Sequence, residues 1–181
     1  MKAMTQMTLY TIGHSTRLLD EFLKILHAHS IQTLIDIRAF PMSRRMPYFN
    51  RESLEKSFPE KGIQYVWMKE LGGRRKKLRD DSPNIGLRND SFRNYADYML
   101  TPAFQQAAQR VSEFAESAPT AIMCAEKVFF HCHRMLVSDY FVLHGNDVLH
   151  IQDASPSRPH VITKEAKLVE GQVIYSEGML F

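Results

Sequence analysis

The apolar residues of this chain fall into two kinds of pattern. Short runs rich in β-branched and aromatic side chains predict five strands. The strands span residues 7–12, 33–37, 63–67, 120–124 and 148–151. Elsewhere, apolar residues recur every three or four positions, which is the spacing of one helical face. These helical stretches span residues 19–26, 92–99, 104–114 and about 131–143.

Turn and cap signals indicate where some of these elements end. Gly13 follows the first strand. Ser15 or Thr16 is the predicted cap of the first helix, because short hydroxyl side chains accept hydrogen bonds from free helix N–H groups. Glu170 and Gly171 lie between two short β-type runs, which predicts a small hairpin near the C-terminus.

The alternation of strands and helices predicts the fold class. Strands joined through helices lie parallel in one sheet, and the helices cover both of its faces. We therefore expect a three-layer α/β fold with a mainly parallel sheet and a small C-terminal β-hairpin. Residues 1–181 are expected to form it as a single domain.

Composition narrows the class of protein. Of the 181 residues, 44% are hydrophobic and 24% are charged, which is typical of a globular chain. No apolar run reaches the roughly eighteen residues of a membrane span, so we expect no membrane partner. The first residues do not resemble a secretory signal. Two cysteines are too few for a disulfide framework, which predicts a cytoplasmic location.

The net charge of +3 is weakly basic, and its densest source is the basic loop, residues 74–79. One interpretation of the basic loop is contact with the phosphate backbone of DNA or RNA, assisted by the arginines near Arg44. The alternative is a solvated loop that Asp80 and Asp81 partly neutralise. No helix-turn-helix, zinc-finger or aromatic stacking motif supports sequence-specific recognition.

Polar residues follow three predicted strands at their carboxyl ends, where parallel α/β sheets bind ligands. These residues are His14, Ser15, Asp36, Arg38, Cys124 and Glu126. Because these strand ends share one edge of the sheet, we expect the side chains to line one pocket.

Cys132 is the first candidate for catalysis. It precedes a predicted helix and is followed by His133 and Arg134, and a helix N-terminus and nearby cations both lower the pKa of a thiol. Cys132 is therefore a candidate thiolate nucleophile, and Cys124 is a second one. The alternative is that both cysteines are buried and inert.

Glu126, His14 and Ser15 have two interpretations each. A carboxylate next to a buried strand is costly without a partner, so Glu126 either pairs with Arg134 or Arg38 or acts as a general base. His14 is a candidate for proton transfer or for a structural hydrogen bond. Ser15 is a candidate for ligand binding or for helix capping.

Asp36 and Arg38 lie two positions apart on one strand and so face the same side of the sheet. Either they satisfy each other, or Arg38 binds a phosphate or carboxylate of a ligand. Zinc is not favoured, because there is no Cys-x2-Cys pair and consecutive residues 131–133 cannot all point to one ion. No dinucleotide or P-loop signature is present, and we expect no metal and no cofactor.

Five short motifs, in order along the chain, resemble a known family. They are Thr11-Ile12-Gly13-His14-Ser15, Asp36-Ile37-Arg38 with Pro41 and Ser43, Leu71-Gly72-Gly73, Met123-Cys124-Ala125-Glu126 and Cys132-His133-Arg134. The chain is similar to the microbial family known as domain of unknown function 488, from the first strand to the hairpin. The resemblance carries no catalytic role over. It implies that the motif residues share a site, which adds Ser43, Gly72, Gly73, His133 and Arg134 to the candidate substrate-binding residues.

These observations favour an enzyme of the transferase or hydrolase type. Its catalytic candidates are Cys132, Glu126, His14 and Cys124, and its substrate is a small anionic or phosphate-bearing, nucleotide-like molecule. Two alternatives are a nucleic-acid accessory protein that uses the basic loop and a ligand sensor that uses the same pocket without chemistry. The sequence does not indicate an oligomeric state.

Overall fold

A computed structural model describes residues 6–176 of the chain. In chain order, the strands and helices are β1 (Thr8–Gly13), α1 (Leu19–Ala28), β2 (Thr33–Asp36), α2 (Arg51–Glu60), β3 (Gln64–Trp67), α3 (Asp90–Met99), α4 (Pro102–Ser117), β4 (Thr120–Cys124), α5 (Arg134–Leu143), β5 (Asp147–Ile151), β6 (Arg158–Pro159), β7 (Ala166–Val169) and β8 (Gln172–Tyr175). Short 3₁₀ turns lie at Pro47–Phe49, Lys69–Leu71 and Phe129–His131.

The main sheet has the strand order β3-β2-β4-β1-β5-β6. Strands β1 to β5 pair in parallel, and the two-residue β6 pairs antiparallel with β5. Strands β7 and β8 form a separate antiparallel hairpin around Glu170 and Gly171. The predicted α/β class, the mainly parallel sheet and the C-terminal hairpin are confirmed.

Helices cover both faces of the main sheet. Leu34 of β2 packs with Phe22 of α1 and Phe58 of α2 on one face. The next residue, Ile35, belongs to the apolar cluster on the other face, which contains residues of α3, α4 and α5. Successive strand residues point to opposite faces, so a strand covered on both sides is mostly apolar on both of its faces. This explains why the central strands are largely apolar runs without alternation.

The sequence pattern did not indicate α2 or the short strand β6. Leu54 and Phe58 are the buried residues of α2, and two apolar positions one turn apart give no extended stripe. The predicted start of the last helix is also wrong. Residues 129–131 form a separate 3₁₀ turn and Cys132 is extended, with φ −141°, so α5 begins at Arg134.

The predicted cap of the first helix is wrong as well. Helix α1 begins at Leu19 after Leu18, and no side chain caps it. Ser15 has a left-handed backbone, with φ 53°, and its N–H donates to the carbonyl of Ala125 at 3.0 Å. The residues after β1 therefore stay hydrogen-bonded to the end of β4 and the residue after it before α1 begins. Within residues 6–176, no helix combines the length and apolar character needed to cross a membrane.

Because both faces of β2 are buried, we expect substitutions at neighbouring positions of this strand to destabilise the protein to a similar extent. We expect Leu34→Ala and Ile35→Ala each to lower the free energy of unfolding by about 2–5 kcal/mol, because each leaves a cavity in a different apolar layer. Urea denaturation measures both values. Val161→Ala, at a side chain that is 82% exposed, is the control and should change stability by less than about 0.5 kcal/mol. A large effect at one of the two strand positions alone would contradict the two-sided core.

Candidate active site at the strand ends

A cavity of about 380 Å³ opens at the carboxyl ends of β2 and β4. The predicted site residues that line it are Arg38, Gly73, Cys124, Glu126, Cys132 and His133. Arg74 and His131 add further basic groups to its wall. A larger hollow of about 810 Å³ lies beside the opposite ends of β1 and β4, and none of the predicted site residues line it.

Two cysteine sulfurs meet in the wall of this cavity. Cys124 is the last residue of β4, and Cys132 lies between the 3₁₀ turn and α5. Both are free thiols, and their Sγ atoms are 3.1 Å apart. The backbone N–H of Arg134, at the start of α5, points to Cys132 Sγ at 3.5 Å. Cys132 therefore lies at a helix N-terminus, which favours a negatively charged sulfur.

The guanidinium of Arg134 lies directly behind the two sulfurs and is 1% exposed. Its Nε donates to Cys124 Sγ at 3.0 Å, and its Nη1 donates to Thr11 Oγ1 at 3.2 Å. Its Nη2 donates to the backbone carbonyls of Glu126 and Lys127. Within residues 6–176, no carboxylate forms an ion pair with Arg134. A buried cation needs a counter-charge, and the group in contact that can supply one is the sulfur pair.

The two cysteines therefore share one proton. The hydrogen bond from Cys124 lowers the pKa of Cys132, with further contributions from His133 and from the positive charge of Arg134. The same bond, together with burial, raises the pKa of Cys124 well above its usual range. These opposite pKa directions favour a Cys132 thiolate that accepts a hydrogen bond from the Cys124 thiol.

A chain of buried hydrogen bonds connects Arg134 to Asp139 on the same helix. Thr11 Oγ1 lies 2.6 Å from His150 Nδ1, His150 Nε2 lies 2.9 Å from His160 Nδ1, and His160 Nε2 lies 2.8 Å from Asp139 Oδ1. A carboxylate accepts hydrogen bonds, so His160 Nε2 donates to Asp139. At the other end, Thr11 accepts from Arg134.

Further contacts hold this series of hydrogen bonds in place. Asp139 also accepts from the Tyr175 hydroxyl at 2.9 Å and from the Thr163 N–H at 2.8 Å. His150 stacks on Phe129 with ring centroids 3.6 Å apart. Burial, His160 and Arg134 lower the pKa of His150 to about 3, so its imidazole is neutral at physiological pH. These hydrogen bonds consequently fix the orientation of Arg134 and connect its guanidinium to the Asp139 carboxylate.

Arg38 forms a second buried cluster on the other side of the cavity. Its Nε and Nη2 donate to the Asp36 carboxylate at 2.9 and 2.6 Å, and Nη2 also donates to the carbonyl of Phe49 at 2.7 Å. The predicted mutual satisfaction of Asp36 and Arg38 is thus present. Arg38 Nη1 also reaches His14 Nε2 at 3.3 Å.

His14 is held as a neutral imidazole. Its Nδ1 donates to the carbonyl of Ser15 at 2.8 Å, so Nε2 is the acceptor for Arg38. Burial and the charge of Arg38 lower the pKa of His14 to about 4, and its ring stacks on Phe49. With both nitrogens engaged, His14 orients Arg38 towards the cavity.

His133 connects three loops at the cavity. Its Nε2 donates to the carbonyl of Ile37 at 2.9 Å. Gly73 packs against the other side of the ring, where a Cβ atom would lie 2.5 Å from Nδ1. A side chain at Gly73 would displace His133, which explains the need for glycine there. Gly72 packs equally closely on Ala39.

A protein-family model matches more than half of the chain. The model described as "Domain of unknown function DUF488" matches residues 18–141. This protein belongs to the DUF488 family. The matched range contains Arg38, Gly73, the two cysteines and Arg134, and it stops before His150 and His160. No curated protein and no solved structure matches the chain significantly.

Glu126 occupies a different position in this DUF488 chain from the one expected. Its side chain is exposed at the rim of the cavity, and it forms no ion pair with Arg134 or Arg38. The ion pair, one of the two interpretations of Glu126, is therefore absent, and its role as a general base stays a prediction. The contact with Arg134 is made by the backbone carbonyl of Glu126, against which Gly13 packs so closely that a Cβ atom at Gly13 would overlap it.

Two further predicted site residues lie outside the cavity. Ser15 lines a separate hollow with Arg17 and Asp153. Ser43 stabilises its own loop, because its N–H donates to Asn50 Oδ1 at 2.6 Å and its hydroxyl accepts from a neighbouring N–H. The structure does not bring either serine into the wall described here.

Local carboxylates pair with two of the five cations of the basic loop, and a third contacts backbone carbonyls and a tyrosine ring. Lys77 pairs with Asp80 at 2.6 Å, and Arg79 pairs with Asp81 at 2.9 Å. Arg75 lies over the Tyr98 ring at 3.6 Å and donates to three backbone carbonyls. Arg74 instead lines the cavity and lies 5.7 Å from the Phe40 ring centroid.

The sequence pattern did not indicate most of the residues behind the sulfurs, and it included Thr11 only as part of a motif. Thr11, Asp139, His150 and His160 are all buried, yet none follows a strand end in the way that Cys124 does. The signal available was Asp139, an acidic residue on the apolar face of α5, since a buried carboxylate requires partners. Within residues 6–176, no three His, Cys, Asp or Glu side chains are grouped closely enough to hold a metal ion.

Because the folded protein holds His14 neutral, we expect its contribution to the free energy of unfolding to be lost at acidic pH. The unfolded imidazole takes up a proton near pH 6.5, whereas the folded one resists protonation until about pH 4. The free energy of unfolding of the wild type, relative to His14→Gln, should be constant above pH 7. It should then fall by about 1.4 kcal/mol per pH unit between pH 6.5 and 4. Denaturant titrations at several pH values measure this difference, and a flat difference would contradict a buried neutral His14.

The role of Arg134 as counter-charge predicts the acidity of the sulfur pair. In Arg134→Gln, the thiolate loses its cation, so the rate of Cys132 alkylation at pH 6 should fall at least tenfold, and the pH at half-maximal rate should rise. Arg134→Lys keeps the charge and should show an intermediate loss. Mass spectrometry of quenched samples gives the rates, and circular dichroism verifies folding. An unchanged pH profile in a folded Arg134→Gln protein would contradict the assignment.

Proposed function

We propose that this DUF488 protein is an enzyme in which the Cys132 thiolate attacks a small anionic substrate bound in the strand-end cavity. The observation that carries the proposal is the buried Arg134 guanidinium, whose counter-charge is the sulfur pair. A thiolate, not a thiol, is the reactive form of cysteine, and a buried cation beside a helix N-terminus maintains it at neutral pH.

Basic groups around the sulfur support an anionic substrate. Arg38, Arg74, His131 and His133 line the same cavity as Cys132. Arg38 uses most of its donors on Asp36, Phe49 and His14, which leaves an N–H of Nη1 to bind a phosphate or carboxylate oxygen. A nucleotide-like phosphate compound fits this set of donors.

The arrangement suits transfer or hydrolysis through a covalent intermediate. The Cys132 sulfur forms a bond to the electrophilic atom of the substrate, and the leaving group departs with its electron pair. Glu126, exposed at the rim, is the carboxylate that can activate the water or acceptor that releases the product. Such a thiolate requires a reducing compartment, which is why we propose a cytoplasmic location.

The alternative function in nucleic-acid binding gains no support from the basic loop. Ion pairs and backbone contacts within that loop occupy Arg75, Lys77 and Arg79. Arg74 points to the cavity instead, where it contributes to the binding of a small anion. A ligand sensor would use the same cavity without turnover.

Paired alkylating reagents test the proposal. Iodoacetate is anionic and iodoacetamide is neutral, so a basic cavity should favour iodoacetate relative to a free thiol in solution. We expect native protein at pH 6 to be modified at Cys132, with Cys124 protected, and the Cys132→Ser protein to be unreactive. Arg74→Gln should lower the ratio of iodoacetate to iodoacetamide rates about two- to fivefold, by loss of one nearby charge in a hydrated site.

Lys76→Gln is the matched control for that ratio. Lys76 is exposed on the same loop but does not line the cavity, so its substitution should leave the rate ratio unchanged. Inorganic phosphate and nucleoside phosphates should slow the alkylation of Cys132 in a saturable way. If both cysteines react only after denaturation, the nucleophile proposal fails.

A further inference from the structure

In a mechanism with a single nucleophile, Cys124 does no covalent chemistry and only hydrogen-bonds to that nucleophile, although the two sulfurs are in direct contact. Its side chain is 3% exposed, against 9% for Cys132. Its Sγ contacts Cys132 Sγ at 3.1 Å, Arg134 Nε at 3.0 Å and the Glu126 carbonyl oxygen at 3.8 Å. Of these groups, Cys132 is the one that can carry an electrophile. Cys124 is therefore placed to react with a group bound to the Cys132 sulfur.

We propose that Cys132 and Cys124 form a redox-active pair that reduces small anionic disulfides through a reversible internal disulfide. The inference rests on the proposed function, since it uses the same Cys132 thiolate and the same cavity. It is a second reaction of that site, with an anionic disulfide in place of the phosphate compound, and it gives Cys124 the role of resolving cysteine.

The two steps balance in atoms and electrons. In the first, the Cys132 thiolate attacks one sulfur of the substrate RS–SR, the S–S bond of the substrate breaks, and RS⁻ leaves. In the second, the Cys124 sulfur attacks Cys132 Sγ, the mixed disulfide breaks, and the second half of the substrate takes the proton of the Cys124 thiol and leaves as RSH. The substrate gains two electrons and becomes one thiolate, RS⁻, and one thiol, RSH, while the cysteine pair loses two electrons and becomes a disulfide. A thiol reductant then restores the pair by the reverse exchange.

Arg134 determines whether the reduced or the oxidised form of the cysteine pair is more stable. The reduced pair carries one negative charge beside the guanidinium, and the internal disulfide carries none. Oxidation therefore leaves Arg134 buried without a counter-charge, which raises the free energy of the oxidised form. A disulfide whose reduced form is stabilised in this way is readily reduced. The resting form is consequently the thiolate–thiol pair, and the disulfide is transient.

The cavity selects the substrate class. Cys132 lines the 380 Å³ cavity, whose wall also carries Arg38 and Arg74. Carboxylates on a small disulfide would bind these cations and bring its S–S bond to Cys132.

Glutathione disulfide is a suitable probe, because it is small, anionic and a disulfide. The reduced full-length protein is incubated at pH 7 with a large excess of it, because Arg134 stabilises the reduced pair and only an excess of the disulfide drives the exchange to completion. The samples are then quenched in acid and alkylated. We expect the wild type to release two thiols per chain and to acquire a Cys124–Cys132 disulfide. Cys124→Ser should release one thiol and retain a glutathione adduct on Cys132. Cys132→Ser should release none.

An equilibrium measurement tests the role of Arg134 in the same reaction. At a fixed ratio of reduced to oxidised glutathione, Arg134→Gln should shift the equilibrium constant towards the disulfide at least tenfold, and Arg134→Lys by less. A shift in the opposite direction would overturn the account of resting state and charge.

Three results would overturn the redox inference. They are two free cysteines after incubation of the wild type, a Cys124→Ser protein without a Cys132 adduct, and oxidation by hydrogen peroxide but not by the disulfide. Each is distinguishable from failure of the proposed function, because fast alkylation of Cys132 at pH 6 would remain. Loss of that alkylation in the wild type would remove both proposals together.

Discussion

The buried positive charge of Arg134 is the constraint on which the site depends. Its guanidinium lies behind the cavity wall, donates to Thr11 and to two backbone carbonyls, and contacts sulfur where another buried arginine would contact a carboxylate. The cost of burying such a cation is several kcal/mol unless an anion accompanies it. The stability of this part of the fold and the reactivity of the sulfur pair thus have the same physical origin.

The contrast with Arg38 makes the point clearer. Both arginines are buried at the same edge of the sheet, and both donate to several groups. Arg38 is neutralised by the Asp36 carboxylate and oriented by His14, so it is a fixed binding group. Arg134 is balanced by a group that can form and break covalent bonds. One side of the cavity is consequently suited to holding a ligand, and the other is suited to reacting with it.

The hydrogen-bonded chain behind Arg134 gives the site its rigidity. Thr11, His150 and His160 connect Arg134 by hydrogen bonds to Asp139, which is itself fixed by Tyr175 of the C-terminal hairpin. The hairpin lies far from the cavity along the chain, yet it supports the helix that begins at the cysteine pair. Loss of the hydrogen bond between Tyr175 and Asp139 would therefore loosen the hydrogen bonds that orient Arg134 beside the sulfur pair.

The sequence by itself determined the fold class, because apolar periodicity distinguishes buried strands from one-sided helices wherever the apolar stripe is long. It failed for α2, whose buried face is two residues, and for the start of α5, where the chain is extended at Cys132. The motifs also located the cysteines, Arg38, Gly73, His133 and Arg134 at one edge of the sheet, because strand ends in a parallel sheet meet there. Only the tertiary structure decided the partners. Glu126 and Asp36 are both acids next to strand ends, and their surroundings, which no local pattern records, expose the one and pair the other with Arg38. The same holds for Thr11, His150, His160 and Asp139, which lie up to 149 positions apart in the chain and become a single chain of hydrogen bonds only when β1, β5 and α5 pack together.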